Sequence, residues 1–568
     1  MDYREIYESW RNHPALTQEG KDDLNNISEN EKEIEYRFGA ELEFGTAGMR
    51  GIIGYGTNMM NVYTVRRATQ GLAEYVKSLG ASACRRGVAI SYDTRRKSDL
   101  FAETAAGVLA ANGIRAWLYR EVHPVPMLSY AVRKLNTVAG IMITASHNPK
   151  EYNGYKVYGE DGAQMSPEVT AEVVRYIAQV TDYFAVKEEK NSLIRRIPYS
   201  VDRCYYKKLS KLALSPKAVK KVGKTLRLVY TPVHGSGYVP VTTILKRMKI
   251  HTAVVQEQII EDPSFSTVEV PNPEFKETLS KGIALANKIH ADVVFGTDPD
   301  CDRLGVAVKN DKGEFIALSG NQVGILLLDY ILTRLKEEEK LPSNGAVVKS
   351  FVTTGMAKSI CDDFGVELID VPVGFKFIGE KIKEFEKDGS HTFLFGFEES
   401  CGYLRGTEGS RDKDAVVASL LFAELVCYYT YKKQSVYQRL MDIYAKYQFV
   451  LDRNISIKFE GLNAMKEMNA VVDALKNRTV EKLDIYNVIA MRDYSASVRK
   501  AAGGEVEDLG IPCSNAVYYE LENGSFICVR PSGTEPKLKI YYSVKAKDEE
   551  SAEKALERMR RAFEPLLK

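Results

Sequence analysis

Short apolar runs rich in β-branched residues recur along the chain, and each is followed by a polar or glycine-containing loop and then by a stretch with helical periodicity. This alternation is typical of α/β domains with largely parallel sheets. The longer stretches between the apolar runs predict helices that include residues 102–112 and 321–336. The apolar runs predict strands at residues 88–92, 138–144, 226–231, 293–297 and 347–352.

The last part of the chain has a different pattern. Three apolar runs, at residues 516–521, 525–529 and 538–544, follow one another closely and precede a charged amphipathic stretch at residues 548–563. Neighbouring strands followed by a helix predict a C-terminal domain of the α+β class. The sequence contains no repeat with a period of 20–50 residues.

Chain length sets the number of domains. The chain has 568 residues, and at about 150 residues per domain it is long enough for three or four domains. The lysine-rich stretch at residues 207–224 and the segment at residues 444–452 are candidate boundary regions. We therefore expect an α/β protein with three α/β domains that have mixed, largely parallel sheets and a C-terminal α+β domain, all around a central cleft. The expected domains are residues 1–205, 206–318, 319–446 and 447–568.

Composition and charge narrow the class of protein. Hydrophobic residues make up 45% of the chain and charged residues 27%, which is typical of soluble globular proteins and excludes general disorder. Lys and Arg total 78 against 76 Asp and Glu, so the net charge of +2 predicts no nucleic-acid-coating surface. An anionic ligand would therefore have to be bound by a local site.

The N-terminal segment and the cysteines indicate a cytoplasmic protein. The first residues include acidic side chains and lack the apolar region of a secretory signal. The longest apolar run, near residues 323–332, is interrupted by Asp329 and is far shorter than a membrane span, so we expect no membrane association. The eight cysteines are never closer than the fifteen positions between Cys513 and Cys528, which predicts reduced thiols rather than a zinc site or a disulfide framework.

Polar residues follow the predicted strand at residues 138–144. Ser146 and His147 come directly after it, and Lys156 follows a short loop. In open α/β sheets, ligands bind outside the carboxyl ends of the strands. A serine hydroxyl at such a position, beside a histidine and a lysine, is suited to a nucleophile or a phosphoryl carrier. The alternative is an ordinary turn, because the Asn-Pro and Asn-Gly pairs in this loop are common turn dipeptides.

Three aspartates follow the predicted strand at residues 293–297. Asp298, Asp300 and Asp302 alternate along a loop that ends in Arg303, and their carboxylates would repel one another unless a cation lay among them. Hard oxygen ligands suit Mg²⁺. An EF-hand is excluded, because the sixth position counted from Asp298 is an arginine instead of glycine and the twelfth is a lysine instead of glutamate. A solvated acidic turn is the remaining alternative.

A third polar cluster follows the apolar run that ends near Phe395. It contains Glu398, Glu399 and Ser400. Carboxylates beside a hydroxyl suit the vicinal diols of a sugar, whose hydroxyls both donate and accept hydrogen bonds. A glutamate-rich first turn of a helix is the alternative, since acidic residues favour that position.

A fourth cluster follows the predicted strand at residues 525–529. It begins with Arg530 and continues through Ser532, Gly533 and Thr534. An arginine, two hydroxyls and a glycine backbone form a plausible cradle for a phosphate, with the arginine supplying bidentate donors. A tight β-turn is the alternative, because proline and glycine alone would produce one.

In this order along the chain, the four clusters resemble the signature segments of the α-D-phosphohexomutase family. The segments are Thr144-Ala-Ser-His-Asn-Pro149, Gly296-Thr-Asp-Pro-Asp-Cys-Asp-Arg303, Gly396-Phe-Glu-Glu-Ser400 and Arg530-Pro-Ser-Gly-Thr534. An early Gly45-Thr-Ala-Gly-Met-Arg50 also matches the arginine-bearing opening loop of the family. The resemblance is closest to the phosphoglucomutase branch with long chains, which includes phosphopentomutases.

The resemblance implies a mechanism with a phosphorylated serine. Phospho-Ser146 would transfer its phosphoryl group to a sugar monophosphate, and the resulting bisphosphate, glucose 1,6-bisphosphate for glucose, would return its other phosphoryl group to Ser146. Ser146 and the three aspartates would bind Mg²⁺. The residues implied as catalytic, besides Ser146, are Arg50, His147, Lys156 and Arg303. Those implied in substrate binding are Gly374, Phe375, Lys376, Glu398, Ser400 and Lys413. Those implied in phosphate binding are Arg530, Ser532, Gly533 and Thr534.

One segment departs from the pattern of glucose-type relatives. Where many of them have threonines before a Gly-aromatic-Lys loop, this chain has Val371 and Val373, so two hydroxyls are missing. Glu398 and Ser400 nevertheless match the glucose-type pattern, and the histidine of mannose-type relatives is absent from the region of Gly402. The resemblance therefore implies the interconversion of α-D-glucose 1-phosphate and glucose 6-phosphate.

Other functions remain open on the sequence. Phosphomannomutase and phosphopentomutase activities are the closest alternatives. A noncatalytic sugar-phosphate-binding protein would have no need of a phosphoryl carrier, and a metal-dependent phosphatase would have to admit water to phospho-Ser146. We expect the partners to be small-molecule sugar phosphates and the protein to be a monomer, with a dimer as the alternative.

Overall fold

The computed structural model describes residues 2–45, 48–459, 463–532 and 537–567. The chain forms two compact units. Unit 1 comprises Met1–Leu318, Gly379–Asp388 and Cys401–Tyr431, and unit 2 comprises Ser319–Ile378, Gly389–Ser400 and Lys432–Lys568.

Unit 1 begins with three helices and continues as alternating strands and helices. These elements are α1 (Tyr3–Arg11), α2 (Gln18–Asn26), α3 (Glu31–Phe38), β1 (Phe44–Gly45), β2 (Gly48–Ile52), α4 (Val62–Ser78), α5 (Ala81–Arg86), β3 (Val88–Tyr92), α6 (Ser98–Ala111), β4 (Ala116–Leu118), α7 (Val125–Leu135), β5 (Ala139–Ile143), β6 (Tyr152–Gly159), α8 (Pro167–Gln179) and β7 (Ile194–Arg196). The strands form a mixed sheet in the order β1-β2-β6-β5-β3-β4-β7. Strands β5, β3, β4 and β7 are mutually parallel, whereas β6 is antiparallel to both β5 and β2.

The first sheet is stabilised by a large apolar core. Side chains such as Leu72, Ile90, Phe101 and Ile141 are fully buried between the sheet and its helices. Helix α4 begins sharply because the side chain of Asn61 accepts hydrogen bonds from the first free main-chain amides of the helix. This core fixes the carboxyl ends of β3 and β5, where polar loops follow.

The second part of unit 1 contains another mixed sheet. Its elements are α9 (Tyr199–Ser210), α10 (Pro216–Val222), β8 (Arg227–Thr231), α11 (Tyr238–Arg247), β9 (His251–Val254), two 3₁₀ turns (Gln256–Gln258 and Lys276–Leu279), α12 (Ser280–Ile289), β10 (Val293–Thr297), β11 (Leu304–Lys309) and β12 (Phe315–Leu318). The strand order is β12-β11-β10-β8-β9. Strand β8 is parallel to β9 and β10, and β11 is antiparallel to β10 and β12.

The next section of the chain is divided between the two units. Its elements are α13 (Gly320–Glu337), β13 (Gly345–Ser350), α14 (Met356–Phe364), β14 (Glu367–Val371), α15 (Phe375–Asp388), β15 (Thr392–Glu398), β16 (Gly402–Leu404), α16 (Ala415–Tyr431) and α17 (Val436–Tyr447). In unit 2, β13 pairs in parallel with β14 and β15, so the carboxyl ends of these three strands lie at one edge. By residue, the end of α15 belongs to unit 1, as do β16 and α16.

The C-terminal part of unit 2 is an antiparallel sheet with helices. Its elements are β17 (Phe449–Lys458), α18 (Ala464–Lys476), β18 (Lys482–Leu483), β19 (Tyr486–Asp493), β20 (Val498–Ala501), β21 (Val506–Asp508), β22 (Val517–Leu521), β23 (Phe526–Pro531), β24 (Lys537–Ala546), α19 (Glu549–Phe563) and a 3₁₀ turn (Glu564–Leu567). The strand order is β17-β24-β23-β22-β19-β20-β21, with β18 paired to β19. This part is the predicted α+β section, and the predicted α/β fold class is confirmed.

Most predicted elements are confirmed, and the differences have local causes. The strand predicted at residues 347–352 ends at Ser350, because Phe351 and Val352 leave the sheet for an apolar cluster in which Phe351 stacks on Tyr494 at 3.9 Å between ring centroids. The lysine-rich candidate boundary contains the end of α9 and all of α10, so it is helical.

Two of the three expected domain boundaries lie within helices, and the third lies at the end of a strand. The boundary at residue 205 lies within α9 and that at residue 446 lies within α17, whereas the one at residue 318 coincides with the end of β12 and with a division between the units. The four-domain division and the central cleft therefore stay predictions.

Among the described residues, no single helix combines the length and the apolar composition that crossing a bilayer requires, and α16 and α17 meet these criteria only when taken as a pair.

Candidate active site

The loop after β5 places Ser146 in a buried position. Ser146 is only 3% exposed and has a left-handed backbone with φ of 51°. Its hydroxyl donates a hydrogen bond to Asp298 Oδ2 at 2.9 Å, and His147 Nδ1 lies 3.1 Å from the same oxygen. Its main-chain amide donates to Thr144 Oγ1 at 2.8 Å. An ordinary solvent-facing turn would not fix a hydroxyl against a buried carboxylate, so this geometry favours a reactive serine.

The three aspartates after β10 converge on one point. Asp298, Asp300 and Asp302 each offer a carboxylate oxygen, and these oxygens lie within 4.8 Å of one another. All three side chains are almost completely buried, which contradicts a solvated acidic turn. Asp298 is fixed by the main-chain amides of Asp302 and Arg303, which donate to its Oδ1 at 3.1 and 3.0 Å.

The donor set fits a divalent metal ion. Among the described residues, Asp300 Oδ1 and Asp302 Oδ1 are buried and accept no hydrogen bond, although buried carboxylate oxygens normally have partners. Burial and the neighbouring carboxylate of Asp300 raise the pKa of Asp298 well above its usual range, and the same two causes raise the pKa of Asp302. A hard dication would remove this repulsion and satisfy the buried oxygens, so these three aspartates, here called the metal-binding cluster, could hold a metal ion.

Basic side chains surround the aspartates. Lys156, on β6, lies with its Nζ 2.8 Å from Asp300 Oδ2 and 3.8 Å from Asp302 Oδ2. Although burial opposes ionisation of Asp300, the attraction of Lys156 lowers the pKa of this carboxyl below its usual value. Lys413 lies 3.4 Å from Asp302 Oδ2 and therefore belongs to the same cluster.

Of the two predicted catalytic arginines, Arg303 lies in this cluster and Arg50 contacts the Ser146 loop beside it. Arg303 forms an ion pair with Glu274, and its Nε lies 3.8 Å from Asp302 Oδ1. Arg50, on β2, donates from Nη1 to Asn148 Oδ1 at 2.8 Å, one loop residue beyond His147.

The surroundings of His147 favour its neutral imidazole form. Burial disfavours its charged form, and the guanidinium groups of Arg303, Arg50 and Arg95 add repulsion, so the pKa of His147 lies well below its usual range. A neutral ring nitrogen within hydrogen-bonding distance of Ser146 Oγ is able to accept a proton from that hydroxyl.

Four further residues of the cluster are not among those predicted from the sequence. Asp93 and Arg95 follow β3 and contact the Ser146 loop, and Glu274 pairs with Arg303. Asp412 accepts hydrogen bonds from Tyr158 and Gln164 at 3.0 Å and lies 3.4 Å from Lys413 Nζ. Of these, Asp93 and Arg95 could have been found, because β3 neighbours β5 in the sheet and polar residues follow its carboxyl end.

A glycine-containing loop after β8 contacts the main chain of the loop that carries the three aspartates. Ser236 donates from its main-chain amide and its hydroxyl to the carbonyl of Pro299, each at 2.8 Å. Gly235 lies so close to Pro299 and to the carbonyl of Asp298 that a Cβ at this position would approach their atoms to 3.0 Å or less. The loop therefore fixes the main chain that carries the metal-binding cluster.

Two of the segments implied in substrate binding lie together in unit 2. Glu398, at the end of β15, accepts a hydrogen bond at 2.9 Å from the main-chain amide of Gly374, which has a positive φ of 126°. Phe375 and Lys376 follow as the first residues of α15 and are largely buried, and Ser400 is half-buried in the turn before β16. Because this segment joins two strands, the alternative of a helix N-terminus at Glu398 is wrong.

The neighbouring carboxylate of Glu399 belongs to a second hydrogen-bonded group. Its Oε2 accepts hydrogen bonds from Ser350 Oγ and Thr353 Oγ1, both at 3.2 Å. Ser350 is the last residue of β13 and Thr353 follows that strand, so hydroxyls from one strand end contact a carboxylate from the end of the neighbouring strand β15.

The fourth predicted cluster lies at a hairpin between β23 and β24. Arg530 is near the end of β23, and its Nη1 donates to Tyr541 OH at 3.4 Å. The main-chain amide of Ser532 donates to the carbonyl of Lys537 at 2.8 Å, which closes the hairpin. Gly533 and Thr534 lie outside the described residues.

Four family models match the chain one after another. They describe the α/β/α domains I, II and III of phosphoglucomutase/phosphomannomutase, at residues 41–184, 203–313 and 319–447, and the C-terminal domain of the same proteins, at residues 467–562.

Curated relatives are similar over nearly the whole chain. A phosphoglucomutase from Staphylococcus aureus strain USA300 is 36% identical over 526 residues, which cover 91% of this chain and 92% of the relative. A phosphoglucomutase from Staphylococcus haemolyticus is 34% identical over 514 residues, which cover 90% of this chain and 91% of the relative.

Solved structures share the fold. The open form of pp63/parafusin, a phosphoglucomutase from Paramecium, has a TM-score of 0.67 at 15% identity and covers 92% of this chain and 95% of its own. The Aspergillus fumigatus N-acetylphosphoglucosamine mutase, solved in complex with GlcNAc-6P and magnesium, has a TM-score of 0.51 at 14% identity and covers 97% of this chain and all of its own.

Proposed function

Because the chain belongs to the phosphoglucomutase/phosphomannomutase family, we propose that it interconverts α-D-glucose 1-phosphate and glucose 6-phosphate through a phosphorylated Ser146. The observation that carries this proposal is the buried Ser146 hydroxyl bonded to Asp298 within a cluster of three converging carboxylates. The full-length similarity to staphylococcal phosphoglucomutases supports glucose as the sugar.

The residues of unit 1 are assigned to phosphoryl transfer. Ser146 carries the phosphoryl group. A hydroxyl of the sugar monophosphate loses its proton and attacks phosphorus, and the bond from phosphorus to Ser146 Oγ breaks as Oγ gains a proton. Lys156, Arg303 and Arg50 neutralise charge on the transferred oxygens. His147, held neutral by its surroundings, exchanges a proton with Ser146 Oγ. Lys413 lies beside Asp302 and is assigned to the substrate side of the cluster, as the family resemblance implies.

Asp298, Asp300, Asp302 and the oxygen of Ser146 would hold Mg²⁺. When bound, the ion supplies the positive charge that lets an anionic nucleophile approach an anionic phosphoryl group. The chain's own contribution is to fix the Asp298 carboxylate, to which the amides of Asp302 and Arg303 donate, and the main chain at Pro299, to which the loop after β8 donates.

The residues of unit 2 are assigned to recognition. Glu398 and Ser400, together with Gly374, Phe375 and Lys376, would bind sugar hydroxyls. Arg530 and Ser532, with Gly533 and Thr534, would bind the phosphate that is not being transferred. Glucose 1,6-bisphosphate would form as the intermediate and return one phosphoryl group to Ser146.

The two valines that depart from the glucose-type pattern have a packing role. Val371 is buried at the end of β14, and Val373 packs against the apolar cluster of Phe351 and Tyr494. The burial of Val371 and the apolar contacts of Val373 explain why valines occupy these two positions.

The proposal is tested by comparing glucose, mannose and ribose 1-phosphates, each with its matching bisphosphate. We expect kcat/KM for glucose 1-phosphate to exceed the others by at least about tenfold, since a recognition site that hydrogen-bonds sugar hydroxyls discriminates against analogues that misplace them. A higher kcat/KM for ribose or mannose 1-phosphate would support the pentose or mannose alternative. Release of inorganic phosphate in place of an isomeric sugar phosphate would indicate a phosphatase.

Replacement of Arg530 tests the assignment of the phosphate-binding residues. Arg530→Ala is expected to raise KM for both glucose 1-phosphate and glucose 6-phosphate by about one to two orders of magnitude, because a hydrogen bond to a charged group contributes roughly 1.5–3 kcal/mol. Steady-state kinetics in both directions measures the effect.

The matched control for this experiment is Arg453→Ala. Arg453 is an exposed arginine in the same C-terminal section, paired with Glu553 at 2.6 Å, and its loss should leave KM unchanged. If Arg530→Ala lowers the melting temperature while KM stays constant in both directions, Arg530 has only a structural role in its hairpin.

A further inference from the structure

Arg95 anchors the loop that carries Ser146. This arginine follows β3, is 3% exposed, and lies directly behind the Ser146 loop. Its guanidinium donates to the main-chain carbonyls of Ser146, of Asn148 at 2.6 Å, of Pro149 at 2.9 Å and of Tyr152 at 3.1 Å. One side chain therefore satisfies four carbonyls distributed over the whole turn between β5 and β6.

A buried carboxylate orients Arg95 and reaches the same loop by a second route. Arg95 Nε lies 3.3 Å from Asp93 Oδ2, and both side chains are completely buried. Asp93 Oδ2 also accepts a hydrogen bond from Thr144 Oγ1 at 2.7 Å, and that hydroxyl in turn accepts one from the Ser146 amide. Arg95 thus binds the carbonyl of Ser146 directly, and Asp93, its ion-pair partner, holds the amide of Ser146 through the hydroxyl of Thr144.

This double attachment fixes an unusual backbone. Ser146 has a φ of 51°, in the left-handed region that residues other than glycine, asparagine and aspartate seldom adopt. Such a conformation persists only where the surroundings impose it. In this conformation Ser146 Oγ lies 2.9 Å from Asp298 Oδ2 and 3.1 Å from His147 Nδ1, so the backbone sets the direction of the reactive oxygen.

We propose that Arg95 is a positioning residue for phosphoryl transfer: it holds Ser146 in the left-handed backbone that aims Oγ at the metal-binding aspartates. This inference rests on the proposed mutase function. Arg95 acts through the main chain and contacts neither the aspartates of the metal-binding cluster nor, by our assignment, the sugar phosphate. Its loss should therefore change the rate of transfer without changing substrate affinity.

Arginine is required at this position because of its shape. A planar guanidinium has five donors in a fixed fork, which suits several carbonyls that lie around it. Lysine keeps the positive charge opposite Asp93, but its single ammonium is a compact group with three donors and cannot reproduce that fork. Arg95→Lys consequently separates geometric positioning from charge and is the more informative substitution.

The test compares Arg95→Lys with wild type under saturating Mg²⁺. We expect kcat to fall by about 10- to 100-fold with KM within about twofold, because misplacement of a reacting group by about 1 Å costs up to about a hundredfold in rate. Phosphorylation of dephosphorylated enzyme by glucose 1,6-bisphosphate, followed by intact mass, should slow by the same factor. The binding of Mg²⁺, measured by calorimetry, should stay within about twofold of wild type.

A second variant provides chemical rescue. In Arg95→Ala, millimolar guanidinium should restore part of the lost kcat, whereas equal concentrations of ammonium or sodium should not, because only the planar cation reproduces the fork. Restoration of kcat by guanidinium would report the positioning of Ser146. A general loss of stability would not be repaired by guanidinium, because this ion weakens the folded state.

Arg96→Lys is the matched control, since Arg96 is the exposed neighbour of Arg95 and should retain wild-type kcat. A folded Arg95→Lys with wild-type kcat, or with a raised KM and unchanged kcat, would overturn the inference. Loss of activity without guanidinium-specific rescue would likewise reduce Arg95 to a structural residue. Absence of mutase activity in wild type would contradict the proposed function itself, which distinguishes the two failures.

Discussion

Ser146→Ala is expected to lower kcat for the interconversion of glucose 1-phosphate and glucose 6-phosphate by at least about three orders of magnitude. The substitution removes the oxygen that carries the phosphoryl group, and the structure offers no second hydroxyl bonded to Asp298 among the described residues. Because only one atom is lost from a buried side chain, folding should be little affected.

Intact-mass analysis separates this loss from misfolding. Wild-type protein should carry a partial phosphate adduct that increases after incubation with glucose 1,6-bisphosphate, and Ser146→Ala should carry none. Ser78→Ala is a suitable control, because Ser78 is exposed and donates only to the carbonyl of Tyr75 within its own helix. Mutase activity at the wild-type level in Ser146→Ala would contradict the role of Ser146 as the phosphoryl carrier.

The central part of the site could be predicted from strand ends. Ser146 follows β5 and the aspartates follow β10, each at the carboxyl end of a strand in a sheet that is partly parallel. The two strands belong to different sheets, so a strand end predicts each polar loop but not that the two loops meet. The family resemblance predicts that meeting, and Ser146 and Asp298, 152 positions apart in the chain, lie within hydrogen-bonding distance.

The roles of the supporting residues could not be predicted in the same way, although the position of Arg95 after β3 marks it as a candidate. Arg95 acts on main-chain carbonyls, which every residue has, so no particular side chain in the Ser146 loop indicates its partner. Glu274 and Asp412 lie on irregular segments, where neither periodicity nor a strand end marks a position. Their roles depend on long-range packing that the local sequence does not encode.

A strand end predicted from the sequence was wrong, and a candidate boundary region is helical, for a related reason. Phe351 continues an apolar run, and the run predicts strand, but its side chain is buried against Tyr494, which follows β19, instead of within its own sheet. Burial alone does not distinguish these two environments, because both require an apolar residue. Lys207 and its neighbours suggested a domain boundary, whereas amphipathic packing extends α9 through them.

Removal of Mg²⁺ by a chelator is expected to abolish turnover, and added Mg²⁺ should restore it. Asp300→Asn should reduce Mg²⁺ affinity and kcat by at least about a hundredfold, because changes even to residues that merely orient metal ligands cost about 10- to 100-fold. Asp300 is completely buried, its Oδ1 accepts no hydrogen bond, and Lys156 keeps it ionised by lowering its pKa. It is therefore the carboxylate of the three that is ready to bind a dication.

Folding should respond differently from activity. In Asp300→Asn the loss of one negative charge relieves the repulsion that raises the pKa of Asp298 and Asp302, so the metal-free variant should melt at or near the wild-type temperature. Mg²⁺ should raise the melting temperature of wild type, because a ligand that binds only the folded state stabilises it, and should have little effect on the variant. Asp311→Asn, in the exposed turn between β11 and β12, is the control and should retain the Mg²⁺ response. Full turnover in excess chelator, or an unchanged Mg²⁺ response in Asp300→Asn, would contradict the assignment of this cluster as the metal site.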